Sequence, residues 1–522
     1  MSLLQDHYAL LGVNHKATDA EIREAWLALS RNFHPDVNKS PGASQVFSVV
    51  SSANDVLSDL KKRGDYDRIY NNRVRGRGSL LLETHMSRQF IRRSDNPQLL
   101  YVLLRVRSTA GSIPTQRSEE EEAEAATTQS PLNLALVLDR SKSMAGQRLQ
   151  SLKIAVHRII DALTPEDYLS IISFSDFAEV VVPAQRASDK RSMKTRVSTV
   201  QADGATSILS GLQYGMHQIE RYLDDRFVNH MVLITDGRTY GDEKESLALA
   251  LRARERGISI SGMGIGEDWN DDFLDKLATR TGGSSTYVVS PETVTEFLEH
   301  RVRSLASAAA ERAILYAVPA PMADLQSVIR IAPMGMNLPT DEQPIPIGAI
   351  DALAGTTIML QFHLNTGTDV PLGRQVIGRL DVRADVLTGE SQQEIVSHNI
   401  VVNIKDEPVE EEPPGVLLEA LSKVMLYKLQ TRARTAIEDG NLPEATQKLE
   451  YLATRLFENG ESELGEAAMN EARVVQQTAM LSDKGGKTMK YGTRALMAQE
   501  TSILGTQLLD IDPDLLDEDD DD

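Results

Sequence analysis

The chain of 522 residues contains no cysteine. Disulfides, thiolate metal sites and thiol nucleophiles are therefore excluded. No apolar run reaches the roughly 20 residues that a membrane-crossing helix needs, so membrane insertion is not expected. The opening text, MSLLQDHYALLGV, lacks the basic region and long apolar stretch of a secretory signal. Positive charge is in deficit: 55 Lys and Arg against 76 Asp and Glu give a net charge of −21. Bulk attraction to nucleic acid or to an anionic membrane surface is excluded on that ground. A soluble, cytoplasmic protein is expected. Gly-x-Ser-x-Gly, Walker and His-Glu-x-x-His motifs are also missing, and His157, His217, His230 and His300 lack metal-ligand spacing. The expectation is a protein that is not an enzyme.

What is present falls into segments of different periodicity. Residues 1–72 are helical by pattern, with Ile22, Ala25, Trp26, Leu29 and Phe33 on one face, then Val46, Val49, Val50, Ala53, Val56, Leu57 and Leu60. Thr18 or Asp19 is placed to cap the first long helix, and Pro35 ends it by excluding His34 from helical geometry. NRVRGR, 73–78, reads as a basic hinge, and 79–107 as strand. Residues 108–131 form an acidic linker. From 132 to 306 the strands LNLALVL, LSIISF, NHMVLIT, ISISGMG and STYVV alternate with amphipathic helices, the signature of a mostly parallel sheet covered on both faces. Residues 312–405 return to strands without a helix and imply an antiparallel sandwich. The strands of 79–107 are expected to join it, with the α/β domain inserted between.

Residues 416–480 are helical, and EDGNLPEATQKLEYLATRL resembles half of a tetratricopeptide-like hairpin. A bundle of two or three helices is the preferred reading. The basic stretch KGGKTMKYGTRAL, 484–496, reads as a surface loop or a contact for an acidic partner, and DPDLLDEDDDD as a disordered tail.

His34-Pro35-Asp36 lies in the loop between two amphipathic helices, preceded by DHYALLGV and ATDAEIREAW and followed by DLKKRGDYDR. Pro35 stiffens the loop. Asp36 can pair with an arginine of a partner, and the His34 ring is an orientable donor and acceptor. Residues 5–70 resemble a J domain, the co-chaperone module that engages DnaK-type ATPases. The resemblance implies that His34, Pro35 and Asp36, with Arg23 and Arg31 on the preceding helix, dock on such a chaperone. Glu21 and Glu24 dilute the basic charge usual in that helix and should weaken the attraction.

Asp139, Ser141 and Ser143 follow the first strand of the α/β segment, where ligands of open α/β sheets collect. Thr206, before a helix, and Asp236, directly after NHMVLIT, occupy comparable places. Five hard oxygen donors favour magnesium, with manganese or calcium as alternatives, over zinc. Residues 132–306 resemble a von Willebrand factor type A domain with a metal-ion-dependent adhesion site. The resemblance implies direct ligation by Ser141 and Ser143, with Thr206, Asp139 and Asp236 completing the seat directly or through water. An Asp or Glu of a partner protein is expected to fill the open position. Ala205 stands where the family often has glycine.

The expected fold class is therefore multidomain α+β: a helical J hairpin, a doubly wound α/β type A domain, a β-sandwich and a C-terminal helical bundle. The expected function is that of an adaptor that binds a protein through the cation and recruits a DnaK-type chaperone. The alternative is a cation-dependent subunit of a chelatase-like or membrane-associated complex, with the J domain as a docking module.

Overall fold

Thr18 starts the first long helix by a reciprocal cap: its hydroxyl accepts from Glu21 N at 3.3 Å, while Glu21 Oε2 accepts from Thr18 N at 2.6 Å. The computed structural model describes residues 6–70, 79–109, 130–238, 241–387 and 392–499. The hinge at 73–78, most of the linker at 108–131 and the acidic tail lie outside the described residues. The N-terminal helices are α1 (His7–Leu11), α2 (Asp19–Phe33), α3 (Ala43–Leu57) and α4 (Leu60–Ile69). His34 ends α2 in extended geometry (ψ 131°), as the following proline requires. Tyr8, Leu10, Ile22, Leu29, Phe33, Val46, Val50 and Leu57 bury one face of each long helix in a common core. Arg63 ties α4 to the start of α2 through Asp19 Oδ1 (2.8 Å) and Ala17 O (2.6 Å).

Strands β1 (Leu80–Met86), β2 (Phe90–Arg92) and β3 (Ser94–Ser108) come next. The chain then enters the α/β domain: β4 (Leu132–Asp139), α5 (Gln147–Ala162), β5 (Tyr168–Phe174), β6 (Ala178–Arg186), α6 (Lys190–Ser198), α7 (Ile208–Glu220), β7 (Val228–Thr235), α8 (Glu243–Glu255), β8 (Ser259–Ile265), α9 (Asp271–Thr279), β9 (Ser285–Val288) and α10 (Val294–Ala306). Its sheet runs β6-β5-β4-β7-β8-β9, parallel except at β6. Every residue of β4, β7 and β8 is buried, which suits strands covered by helices on both faces.

Strands β10 (Ala308–Pro319), β11 (Ala323–Ala332), β12 (Met336–Leu338), β13 (Ile345–Asp351), β14 (Thr356–Thr366), β15 (Gly373–Val386) and β16 (Gln392–Lys405) build two stacked sheets. Their orders are β1-β3-β14-β11-β12 and β13-β10-β15-β16-β2. β3 pairs antiparallel with β14 from Ser94↔Thr366 to Val106↔Thr356. Strands before and after the α/β domain therefore share one sheet. The chain entering the α/β domain also lies against the chain leaving it, through Ser130 N to Ala306 O (2.9 Å) and Ser130 Oγ to Ala308 O (2.8 Å). The sandwich is not purely antiparallel, because the short β2 adds in parallel to β16.

The other modules dock on this sandwich. Arg379, fully buried on β15, donates to Leu10 O at 2.8 Å, to Asn399 Oδ1 at 3.0 Å and to Asp381 Oδ1 at 2.8 Å. Asn38 Nδ2 donates to Pro319 O at 2.8 Å. Tyr316 and Val318 belong to the N-terminal helical core. Gly42 permits the approach: a Cβ there would lie 3.1 Å from Val318 Cγ2, and its φ of +87° already excludes most side chains. Between the α/β domain and the sandwich, Gly282 meets Gly348 backbone to backbone.

Helices α11 (Gly415–Glu438), α12 (Leu442–Glu458), α13 (Ser462–Thr478) and α14 (Asp483–Ala498) complete the described residues. Residues 416–480 hold three of these helices, within the expected two or three, and α14 adds a fourth beyond them. The basic stretch 484–496 is not a loop: it lies in α14, whose Lys490 and Arg494 are buried against the acidic start of α9, while Lys484 is exposed. Lys490 Nζ contacts Asp271 Oδ2 at 2.6 Å and Asp275 Oδ2 at 2.8 Å, and Arg494 grips Asp275 with two bonds of 2.9 and 2.6 Å. Arg434 of α11 adds bonds to Asp271 (2.9 Å) and Asp272 (2.6 Å). The sequence pattern missed this helix because three glycines and evenly spread charge obscure its apolar face, which buries Met489, Tyr491 and Met497.

Burial would raise the Asp275 carboxyl, but Arg494 and Lys490 outweigh it and hold the group far below the usual carboxylate range. Its contribution is thus fully present above the ordinary pKa near 4 and is lost only in stronger acid. Asp275→Asn leaves two buried cations short of a partner. It is expected to cost about 3–5 kcal/mol, measured by urea unfolding at pH 7. A loss under 1 kcal/mol would show that the clamp contributes little.

Candidate metal centre

The order β5-β4-β7 places the switch point of the sheet beside β4, so the carboxyl ends of β4 and β7 face one crevice. Asp139 ends β4 and Asp236 follows β7, and both are fully buried. Asp139 Oδ1 accepts from Ser141 N (2.8 Å), and Oδ2 accepts from Thr235 Oγ1 (2.6 Å). Ser143 Oγ donates to Asp236 Oδ1 at 2.7 Å and lies 3.0 Å from Ser141 Oγ. With the Ser143 proton given to Asp236, the Ser141 hydroxyl donates in that last contact. Arg148, in the first turn of α5, closes the series by donating to Asp236 Oδ2 at 2.6 Å. One hydrogen-bonded chain thus runs Thr235–Asp139–Ser141–Ser143–Asp236–Arg148.

Thr206 reaches the same place from the third loop. A Cβ on Gly237 would lie 3.1 Å from Thr206 Oγ1, so the glycine beside Asp236 is what lets the threonine close in. The loop is held by backbone bonds Asp203 N to Arg140 O (2.8 Å) and Ser207 N to Ser175 O (2.8 Å), and by Ala205 N to Asp176 Oδ1 (3.1 Å). Ala205 is exposed. All five expected residues are therefore brought together. Thr235 and Arg148 were not anticipated. Thr235 carried a signal in standing directly before Asp236, whereas Arg148 showed only as a cation in a helix's first turn, where the dipole disfavours it.

Burial pushes Asp139 up to about 6, against the hydrogen bonds from Thr235 and Ser141, and the neighbouring Asp236 adds to the rise. Two carboxylates so placed would gain from a cation. Asp139, Asp236 and the hydroxyls of Ser141, Ser143 and Thr206 make an all-oxygen donor set that fits a hard divalent ion. Among the described residues, no group of three or more His, Asp or Glu side chains gathers for a metal, and this centre itself has two carboxylates with three hydroxyls.

The loop after α2 is a second functional surface. The side chain of His34 is 39% exposed and that of Asp36 85%. His34 Nδ1 accepts from Asp36 N at 3.2 Å, which leaves the proton of the neutral ring on Nε2, and Phe47 packs edge-on at 4.9 Å. Lys39 Nζ donates to Pro35 O at 2.5 Å. Arg23 and Arg31 are exposed on α2. The tripeptide faces solvent, while Asn38, two residues beyond Asp36, is anchored on the sandwich.

Comparison with known families agrees with both surfaces: a DnaJ domain matches residues 6–67, and a von Willebrand factor type A domain matches 133–300. The chain joins a DnaJ domain to a von Willebrand factor type A domain. A third match, the Sll0103-like C-terminal alpha-helical domain, covers 415–499. An uncharacterized protein of Synechocystis sp., sll0103, is 28% identical over 333 residues, covering 62% of this chain and 78% of that one. The chloroplastic chaperone protein dnaJ A6 of Arabidopsis thaliana is 54% identical over 63 residues, which span only 14% of its length. In fold, a von Willebrand factor type A protein from Catenulispora acidiphila superposes with a TM-score of 0.61 at 18% identity, covering 80% of this chain and 96% of that one. The J domain points to a co-chaperone role that recruits a DnaK-type partner, and the type A domain to protein interaction. Both families are generally non-enzymatic. Among the described residues, no helix is long and apolar enough to cross a membrane.

Arg148 is about one-third exposed, and Asp236 is fully buried. Arg148→Met in excess chelator is expected to cost about 2–3 kcal/mol, less than the loss from breaking a wholly buried pair. Urea unfolding of the full chain reads it. An unchanged midpoint would mean that water replaces the guanidinium without penalty.

Proposed function

We propose that this protein is a non-enzymatic co-chaperone adaptor. Its type A domain binds a protein partner through a divalent cation, and its J domain recruits a DnaK-type ATPase to that partner. Asp139, Ser141, Ser143, Thr206 and Asp236 would hold the cation, with magnesium preferred and manganese or calcium as alternatives. When bound, the cation offers a Lewis-acid position to an Asp or Glu of the partner. Thr235 orients Asp139, and the Ser141–Ser143 pair aims its oxygens into the crevice. Arg148 balances the outer oxygen of Asp236.

The observation that carries the reading is the joining of residues from three separated loops into one all-oxygen cluster, with Asp139, Ser141 and Asp236 buried and Ser143 exposed. The His34–Asp36 loop, open to solvent on a J domain docked against the sandwich, supports the second half. Holding both surfaces on one sandwich makes chaperone encounter with a bound partner intramolecular, which raises its effective concentration.

The test uses the full chain as bait, with and without excess chelator, beside Asp139→Ala. Partner recovery is expected to fall at least tenfold with chelator and with the variant. Equal recovery in all arms removes the cation from the reading. In the same preparation, single-turnover hydrolysis by a DnaK-type chaperone should rise with wild type and not with His34→Gln. Association with a ring ATPase or membrane complex that ignores His34→Gln would favour a chelatase-like or membrane-associated subunit instead.

A further inference from the structure

Arginines that are wholly buried are almost always paired with an acid. One in this protein, Arg330, is not, and the half-buried Arg301 beside it also lacks an acid. Arg330 of β11 is 3% exposed and sits where the sandwich meets the α/β domain. Its guanidinium donates to Gly283 O (2.7 Å), Ile347 O (3.1 Å), Gly282 O (3.3 Å) and Met334 O (3.3 Å), all uncharged. Arg301 of α10 comes from the other side. Its Nη2 donates to Ser261 Oγ at 2.7 Å and lies 3.4 Å from His230 Nε2, while its buried Nε has no hydrogen-bond partner. Burial and the charge of Arg301 hold His230 well below its ordinary range, so the imidazole is neutral and adds no balancing charge.

Among the described residues, neither guanidinium has a carboxylate within 4.0 Å. Both line a small cavity of about 20 Å³ between the two domains, together with Ser284 and Ser304. One acid, Asp351, also lines it. Its carboxylate is committed to the Ser307 hydroxyl and to the amides of Leu353 and Ala354, both at 2.8 Å. Burial pulls Arg330 down to about 9, with repulsion from Arg301 and Arg494 adding to it, and burial pulls Arg301 to about 10. A guanidinium does not give up its proton in a protein, so a negative charge taken up from solution would relieve the mismatch.

We propose that this cavity is a binding site for a single monatomic anion, chloride under ordinary conditions. The cavity has room for one small ion. The free Arg301 Nε–H supplies a donor, and the second guanidinium supplies charge from the opposite wall. Because Arg301 belongs to the α/β domain and Arg330 to the sandwich, the anion links the two across the Gly282–Gly348 contact. The site is separate from the Asp139–Asp236 crevice and stands whether or not that crevice takes a cation.

The experiment follows thermal unfolding of the full chain at fixed ionic strength while gluconate is replaced by chloride. A saturable rise in Tm of about 1–3 °C is expected, reproduced by bromide and absent with sulfate. Arg301→Met should flatten the response. Chloride-35 NMR supplies the direct reading: wild type broadens the line and Arg301→Met does not. Where Arg301→Met fails to fold, bromide-soaked crystals of the wild type replace it, with an anomalous peak expected within hydrogen-bond distance of Arg301 Nε. Equal Tm in chloride and gluconate, broadening that survives in Arg301→Met, or a bromide-free cavity would each overturn the proposal.

Discussion

The pairing of β3 with β14 is the constraint on which the rest of the structure depends. Some 250 residues separate Val106 from its partner Thr356, yet the two strands are bonded along most of their length. Closing that ladder seals the inserted α/β domain at its base, where Ser130 binds the chain that leaves it. It also creates the two-sheet body on which every other module rests. Such a long-range contact repays a large loop-closure entropy, which grows only slowly with the length of the insertion. A self-contained domain between the strands is therefore tolerated.

Docking on that body decides what each module can reach. The J domain is fixed by one backbone carbonyl held by Arg379, by Asn38, and by a glycine that brings α3 against Tyr316 and Val318. These contacts use the side of the loop beyond Asp36 and leave His34 and Asp36 in solvent. The C-terminal helices grip the acidic start of α9, one loop away from the candidate metal centre. Lys487 donates to Glu267 O, and Arg238, two residues past Asp236, contacts both Asp268 O and Asp483. The crevice rim is thus built partly by the helical domain.

Buried guanidinium groups recur at each of these junctions and are satisfied in different ways. Arg494 has Asp275 in a bidentate pair, the geometry that suits a desolvated arginine best. Arg379 has Asp381 and carbonyl-type acceptors. Arg330 has carbonyls alone, and Arg301 has a hydroxyl and a neutral ring. Neutral acceptors meet the hydrogen-bonding need of a guanidinium but not its charge, which is the difference that singles out the last junction.

Much of this was legible beforehand, because local rules act over a few residues. The Thr18 cap, the stop at Pro35, the buried runs of β4 and β7, and the positions of His34, Asp139 and Asp236 at element ends all follow from periodicity and turn chemistry. The fold class and both family resemblances rest on such signals. The helix α14 was not legible, because Gly485, Gly486 and Gly492 weaken its pattern and its burial is supplied by acids over 200 residues away. Arg148, Arg301 and Arg330 were equally silent, since a lone arginine in a sequence reads as surface. The sequence by itself determined which residues end the strands, cap the helices and carry the oxygen donors, since those choices are set by near neighbours along the chain. Only the tertiary structure decided which distant charges meet, which are left unpaired and which loop stays open to solvent, because those outcomes depend on desolvation at contacts that exist only once the sandwich has closed.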